Sequence, residues 1–265
     1  MTDNKLLEQK AKEIRGKTLD IIYAAKKGHL GGAFSVTDIL VTLFYDGVLA
    51  IDKTNPKWEN RDRFILSKGH SCAPLFLILE DIGLIKRSDF FSDGDLLGHP
   101  ISTIPYIELT TGSMGHGLSV GIGIALAAKL DKKPYQTFVI IGDGECYEGS
   151  IWESAIFAAH HKLNNLTVIL DRNFQSATDF TENYNKLEPL TDKWLGFGWD
   201  VKRINGHSFD ELRYVFKSNR SEKPLIIIAD TIKGKGVSFM ERNVKWHHGV
   251  PNEEEYRKAK NEIGA

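Results

Sequence analysis

Two hard oxygen ligands, Asp143 and Asn173, each follow a short apolar run of the kind that is buried on both faces of a sheet. Phe138-Val139-Ile140-Ile141 stops at Gly142-Asp143-Gly144, and Leu166-Thr167-Val168-Ile169-Leu170 stops at Asp171-Arg172-Asn173. Between them, Ile151 to Leu163 carries apolar residues at helical spacing. The stretch therefore predicts a β-α-β unit with parallel neighbouring strands and a right-handed crossover. That unit sets Asp143 and Asn173 side by side at the carboxyl edge of the sheet, where open α/β sheets bind ligands. A carboxylate beside an amide oxygen suits Mg²⁺, which takes one or two protein groups and fills its octahedron with water and phosphate oxygens. The glycines flanking Asp143 leave backbone room for a phosphate.

Histidines form the second set. His29 lies in Gly28-His29-Leu30-Gly31-Gly32, His70 in Ser67-Lys68-Gly69-His70, and His99 in Gly98-His99-Pro100. His247 and His248 follow Trp246 near the end of the chain. Each group sits in a turn or loop, and His70 follows a strand as Asp143 does. Imidazoles change charge near working pH, so they suit proton transfer. Several of them in separate loops at one sheet edge point to a single site.

The elements that must position these residues follow from periodicity. Residues 4–27 predict a long helix with Gly28 as its C-terminal cap, and Ser35 is expected to cap the next helix. Arg61 to Leu66 reads as a charged loop entering a strand, and Ala73 to about Ile82 forms an apolar helix. Thr110-Thr111-Gly112-Ser113-Met114-Gly115-His116-Gly117 opens a helix of small residues to about Lys129. Its helix start is a natural anion site, and its glycines imply close packing or close approach of a ligand. A polar loop of about a dozen residues follows Asn173. Beyond it come a helix over Leu187–Phe197, strands over Asp200–Ile204 and Leu225–Ala229 with a helix over Phe209–Ser218 between them, and a last helix over Asn252–Ile263. The alternation predicts a three-layer α/β/α fold with a mostly parallel sheet, in one domain over residues 1–265.

A net charge of −1 offers no field for nucleic acid or an anionic membrane. No apolar run approaches the ~18 residues of a membrane span. The amino terminus carries no signal-type apolar region, and the two cysteines, Cys72 and Cys146, lack metal-ligand spacing. The expectation is a cytoplasmic protein with reduced thiols.

Together, GHLGG, DRDRFILSKGH, GHP, TTGSMGHG, GDGECYEG, the GDG-x28-N spacing and KGKG followed by WHHGVP resemble the amino-terminal half of transketolases. The resemblance implies a thiamine-diphosphate-binding fold and transfer of a two-carbon ketol unit from a ketose, or its phosphate, to an aldose. It implies thiamine diphosphate with Mg²⁺ (or Ca²⁺ or Mn²⁺) as cofactors, with Asp143, Asn173 and the backbone carbonyl of Gln175 on the metal. Gly144 and His70 match diphosphate contacts, and Gly112 and Met114 match contacts to the cofactor rings. His29 and His99 match substrate-channel histidines. The remaining family histidine is His248 if counted back from Pro251, or His247 if the loop shifts by one. Glu148 and Glu153 match carboxylates that link the two active sites of the family dimer. Leu30 stands where the family has proline, and TGSMGHG where it has TGPLGQG. The glutamate that acts on the cofactor pyrimidine and the arginines for substrate phosphate belong to the other half. A second subunit in an α2β2 assembly is therefore implied. The other readings are a noncatalytic scaffold that binds the cofactor, and the α subunit of a 1-deoxyxylulose-5-phosphate synthase-like or 2-oxoacid dehydrogenase-like enzyme.

Overall fold

The computed structural model describes residues 3–264. In chain order they form α1 (Asn4–Ala25), α2 (Leu30–Tyr45), β1 (Arg63–Leu66), α3 (Ala73–Asp81), β2 (Phe91–Ser92), β3 (Asp95–Leu96), α4 (His116–Leu130), β4 (Thr137–Gly142), α5 (Gly149–His160), β5 (Leu166–Arg172), α6 (Thr181–Tyr184), α7 (Leu190–Gly196), β6 (Asp200–Asn205), α8 (Phe209–Lys217), β7 (Leu225–Asp230) and α9 (Glu253–Ile263). Five strands pair in parallel in the order β1-β4-β5-β7-β6, and β2 with β3 makes a small antiparallel hairpin apart from that sheet.

The unbroken apolar runs of β4, β5 and β7 are explained by burial on both faces. Phe138, Ile140, Ile169, Leu225 and Ile227 pack with the helices α1, α2, α3, α8 and α9 in one core. Their sequence neighbours Val139, Ile141, Val168, Leu170, Ile226 and Ile228 face the opposite way, into a second core with α4, α5 and α7. Period-two alternation thus divides each strand between two hydrophobic layers. This is the three-layer α/β/α architecture expected from the sequence, with β6 as a partly exposed edge strand.

The glycines of α4 serve packing against the sheet. A Cβ on Gly117 would lie 2.9 Å from the backbone of Ser67, and one on Gly121 would collide with Val139. These two positions, one turn apart, bring the helix axis close to β1 and β4.

Several boundaries differ from the sequence reading. The first helix ends at Ala25 and is capped by Lys26 in a left-handed conformation, so Gly28 is not the cap. Gly31 and Gly32 of GHLGG lie in the first turn of α2 instead of in a loop, and Ser35 lies inside that helix, where its hydroxyl donates to Asp171 at 2.6 Å. The helix expected from Leu187 starts at Leu190, after Pro189. The polar loop beyond Asn173 contains the single turn α6. The β2–β3 hairpin was not legible at all, because two-residue strands carry no periodicity.

Candidate active site

The carboxyl ends of β1, β4, β5 and β7 deliver Lys68, Asp143, Asn173 and Lys233 to one cavity of about 230 Å³. Its wall also includes His70, Glu145, Gln175 and His247, while Met114 and Glu148 stand among the lining residues from the α4 and α5 side. Parallel pairing in register is what gathers them, since Gly142 lies opposite Asp171 across β4 and β5.

Asp143 is almost fully buried. One carboxylate oxygen accepts from the Gly144 amide at 2.9 Å, and the other from Arg172 Nη1 at 3.1 Å. Burial raises its pKa to about 6, with Arg172 opposing the rise and the Asp171 charge adding to it. Asn173 accepts from the Gln175 amide at 3.1 Å. Arg172, itself fully buried, also donates to Thr181 and Glu182, at 2.7 and 2.9 Å.

Two lysines that the sequence reading passed over are part of this wall. Lys68 is buried and pairs with Asp171, which also accepts from Thr231. Asp171 therefore ties α2, the turn after β1 and the end of β7 to β5. Lys233 donates to the Ser176 carbonyl at 2.6 Å and lies 3.0 Å from His247 Nδ1. Burial pushes its pKa down to about 8. Glu145, also missed, accepts from Ser67 Oγ, Gly115 N and Gly142 N at 2.6, 3.0 and 2.8 Å, and so joins β1, α4 and β4. The available signal was a lysine beside a glycine turn in SKGH and KGKG, which is weak because surface lysines are common there.

The five loop histidines come together. The His29 ring lies 5.1 Å from His70, 6.5 Å from His99, 5.3 Å from His247 and 4.0 Å from His248. His29 and His248 approach at 3.2 Å between their Nε2 atoms. His70 lines both the first cavity and a neighbouring one of about 200 Å³, whose wall carries His29 and His248. His247 belongs to the first cavity, whereas His248, the match counted back from Pro251, belongs to the second. Burial, with repulsion from the neighbouring lysines and imidazoles, lowers three of them: His29 is pushed down to about 4, His247 to about 3, and His70 well below its ordinary value.

Gly112, with φ of 141°, packs against His99, 3.0 Å from where its Cβ would be. Glu153 is not at either cavity and points outward from α5.

This fold and this cluster define the class. The family model described as "Transketolase, thiamine diphosphate binding domain" matches residues 7–265. The chain belongs to the transketolase family and spans its thiamine-diphosphate-binding domain. It is 43% identical over 263 residues to a subunit of the apulose-4-phosphate transketolase of Phocaeicola vulgatus, covering 97% of this chain and 93% of that protein. It is 38% identical to 6-deoxy-6-sulfo-D-fructose transketolase subunit SqwG of a Clostridium species, covering 97% and 96% of the two chains. Transketolase from Leishmania mexicana superposes with a TM-score of 0.89 at 30% identity, over 100% of this chain and 42% of that one. The chain thus spans about two fifths of the solved transketolase.

Proposed function

We propose that this chain is the cofactor-binding subunit of a two-chain transketolase, transferring a two-carbon ketol unit between sugars or sugar phosphates with thiamine diphosphate and Mg²⁺. One observation carries the reading. Asp143 and Asn173 border a cavity whose other walls present Lys68, Lys233, His70 and His247, and that cavity is below the ~300–1,000 Å³ of a complete ligand pocket. Its walls suit the anionic, metal-bound end of a cofactor, and the remainder must be enclosed by another chain.

The donor set fits the metal and the diphosphate. Asp143, Asn173 and the Gln175 carbonyl would hold a hard divalent cation. Gly144, His70, His247 and the two lysines would face the phosphates, and an anion there restores the charge that burial takes from Lys233. Gly112 and Met114 are assigned to the rings. When bound, thiamine diphosphate supplies the centre that stabilises the carbanion left by carbon–carbon cleavage. His29 and His248 line the adjoining cavity, with the His99 ring 6.5 Å from that of His29, and the three are assigned the proton transfers on substrate oxygens.

The partner carries the pyrimidine-side glutamate and the sugar-phosphate contacts, which leaves the sugar undefined by this chain. The two relatives act by name on different sugars, in keeping with that division. An α2β2 assembly would place Glu148 and Glu153 toward the link between sites. A cytoplasmic setting agrees with two buried free thiols.

The test assays ketol transfer by the purified chain, with a ketose phosphate donor and an aldose phosphate acceptor, before and after adding the candidate partner. Activity is expected only in the mixture. Robust turnover by the chain alone would refute the reading.

A further inference from the structure

Gln175 is 2% exposed, and both its Oε1 and its Nε2 are buried without a hydrogen-bond partner among the described residues. The residue is one of those lining the first cavity, with Asp143, Asn173, Lys68, Lys233, His70 and His247. The backbone is pinned there: its amide donates to Asn173 Oδ1 at 3.1 Å, and the residue bridges to Phe180. The preceding Phe174 is held at φ of 65°, a conformation that a large side chain adopts only under constraint. An amide stripped of water with neither atom paired is costly, and native interiors rarely retain one. Leucine would fill the same space without that cost. The carboxamide therefore awaits a group that is not part of the chain.

The walls say what kind. Lys68 and Lys233 supply positive charge beside the carboxylates of Asp143 and Glu145, the neutral imidazoles of His70 and His247 can donate, and Nε2 of Gln175 is a neutral donor suited to a phosphoryl oxygen. A phosphate with a metal-bound water would satisfy both ends of the carboxamide. We infer that the Gln175 side chain donates to a phosphate oxygen of a diphosphate held in this cavity, a role separate from the metal contact assigned to its backbone carbonyl. The inference rests on the thiamine-diphosphate reading, and pyrophosphate alone separates the two.

Calorimetric titration and thermal unfolding of the full chain and of its complex would test it, using Mg²⁺-pyrophosphate and Mg²⁺-thiamine diphosphate as probes. Gln175→Leu is expected to raise the ligand-free Tm by about 2–4 °C, because the unpaired amide is gone. The same variant should bind pyrophosphate about tenfold more weakly. Gln175→Glu, nearly the same shape, should bind more weakly still, because its carboxylate faces the phosphate. A packing role predicts the reverse pattern, with a lower Tm in the leucine variant and unchanged affinity. Wild-type affinity in either folded variant overturns the inference. If the complex binds pyrophosphate as tightly as thiamine diphosphate, the cofactor reading fails while the role of Gln175 is judged on the variants. Binding of neither probe overturns both.

Discussion

Asp143 shows how much one side chain is asked to do in the proposed site. Its carboxylate is buried, is matched to Arg172, and sits where a divalent ion would be held. Asp143→Asn keeps the shape and removes the charge, while Arg172 retains Glu182 and Glu188 as partners. The fold should survive, and Mg²⁺-dependent affinity for thiamine diphosphate should fall by about 100-fold or more in calorimetric titration, since Mg²⁺ tolerates little distortion of its ligands. Undiminished affinity would remove Asp143 from the metal. The histidines are assigned different roles. His70→Asn should weaken cofactor binding, whereas His29→Asn should leave that affinity within a few-fold and lower turnover by about 10²-fold or more. Equal loss of cofactor in both variants would erase the division. The Asp–Asn pair and the histidines were legible in the sequence because each follows a strand or a glycine turn. Lys68, Lys233, Asp171 and Arg172 were not, because a charged residue in sequence reads as solvated. Their burial arises only when β1, β4, β5 and β7 align side by side.

At the scale of elements, α4 and α5 form a surface that this chain leaves uncovered. The sequence suggests that the glycine-rich helix around Gly115 to Leu130 is too apolar for solvent, and much of that apolar character is in fact used against the sheet, through Gly117, Leu118, Gly121, Ile122 and Ala125. What remains outside is Val120 and Leu130, joined by Ile156 and Phe157 of α5, the last two 56% and 43% exposed. Exposed apolar side chains of this kind suit association surfaces, and α4 and α5 both begin beside the lining residues Met114 and Glu148, in keeping with a partner on that side of the proposed site. Replacing both Ile156 and Phe157 by glutamate should abolish co-elution with the partner in size-exclusion chromatography, while circular dichroism and the Tm of the isolated chain hold steady. Intact assembly in the double variant would move the interface elsewhere. The helix and strand set was legible from period alone. The start of α2 was not, because glycines in GHLGG read as a loop, whereas here they allow close approach: a Cβ on Gly32 would sit 2.6 Å from Ser71 Oγ.

For the molecule as a whole, gathering the histidines makes stability depend on pH. In the folded state His29 and His247 take protons only near about 4 and 3, against 6.5 for an exposed imidazole, and His70 and His99 are shifted the same way. The unfolded chain therefore binds more protons than the folded one as pH falls through 6.5, so stability is present above that value and is lost between about 6.5 and 4. Asp143 acts oppositely, since its folded value near 6 exceeds the ordinary 3.8, and it offsets one of the four imidazoles over the same range. The net expectation is that urea unfolding of the ligand-free chain, followed from pH 7 to 4.5, loses stability with a slope of roughly two to three protons. A flat profile would mean that the imidazoles are hydrated and not mutually buried. The small cavity has a different consequence under the proposed reading. Where a catalytic centre is finished only by a second polypeptide, the working unit is an equilibrium, and its amount follows the product of two concentrations. Dilution would then silence such a protein before anything unfolds, and an excess of either chain would add nothing once the scarcer one is saturated.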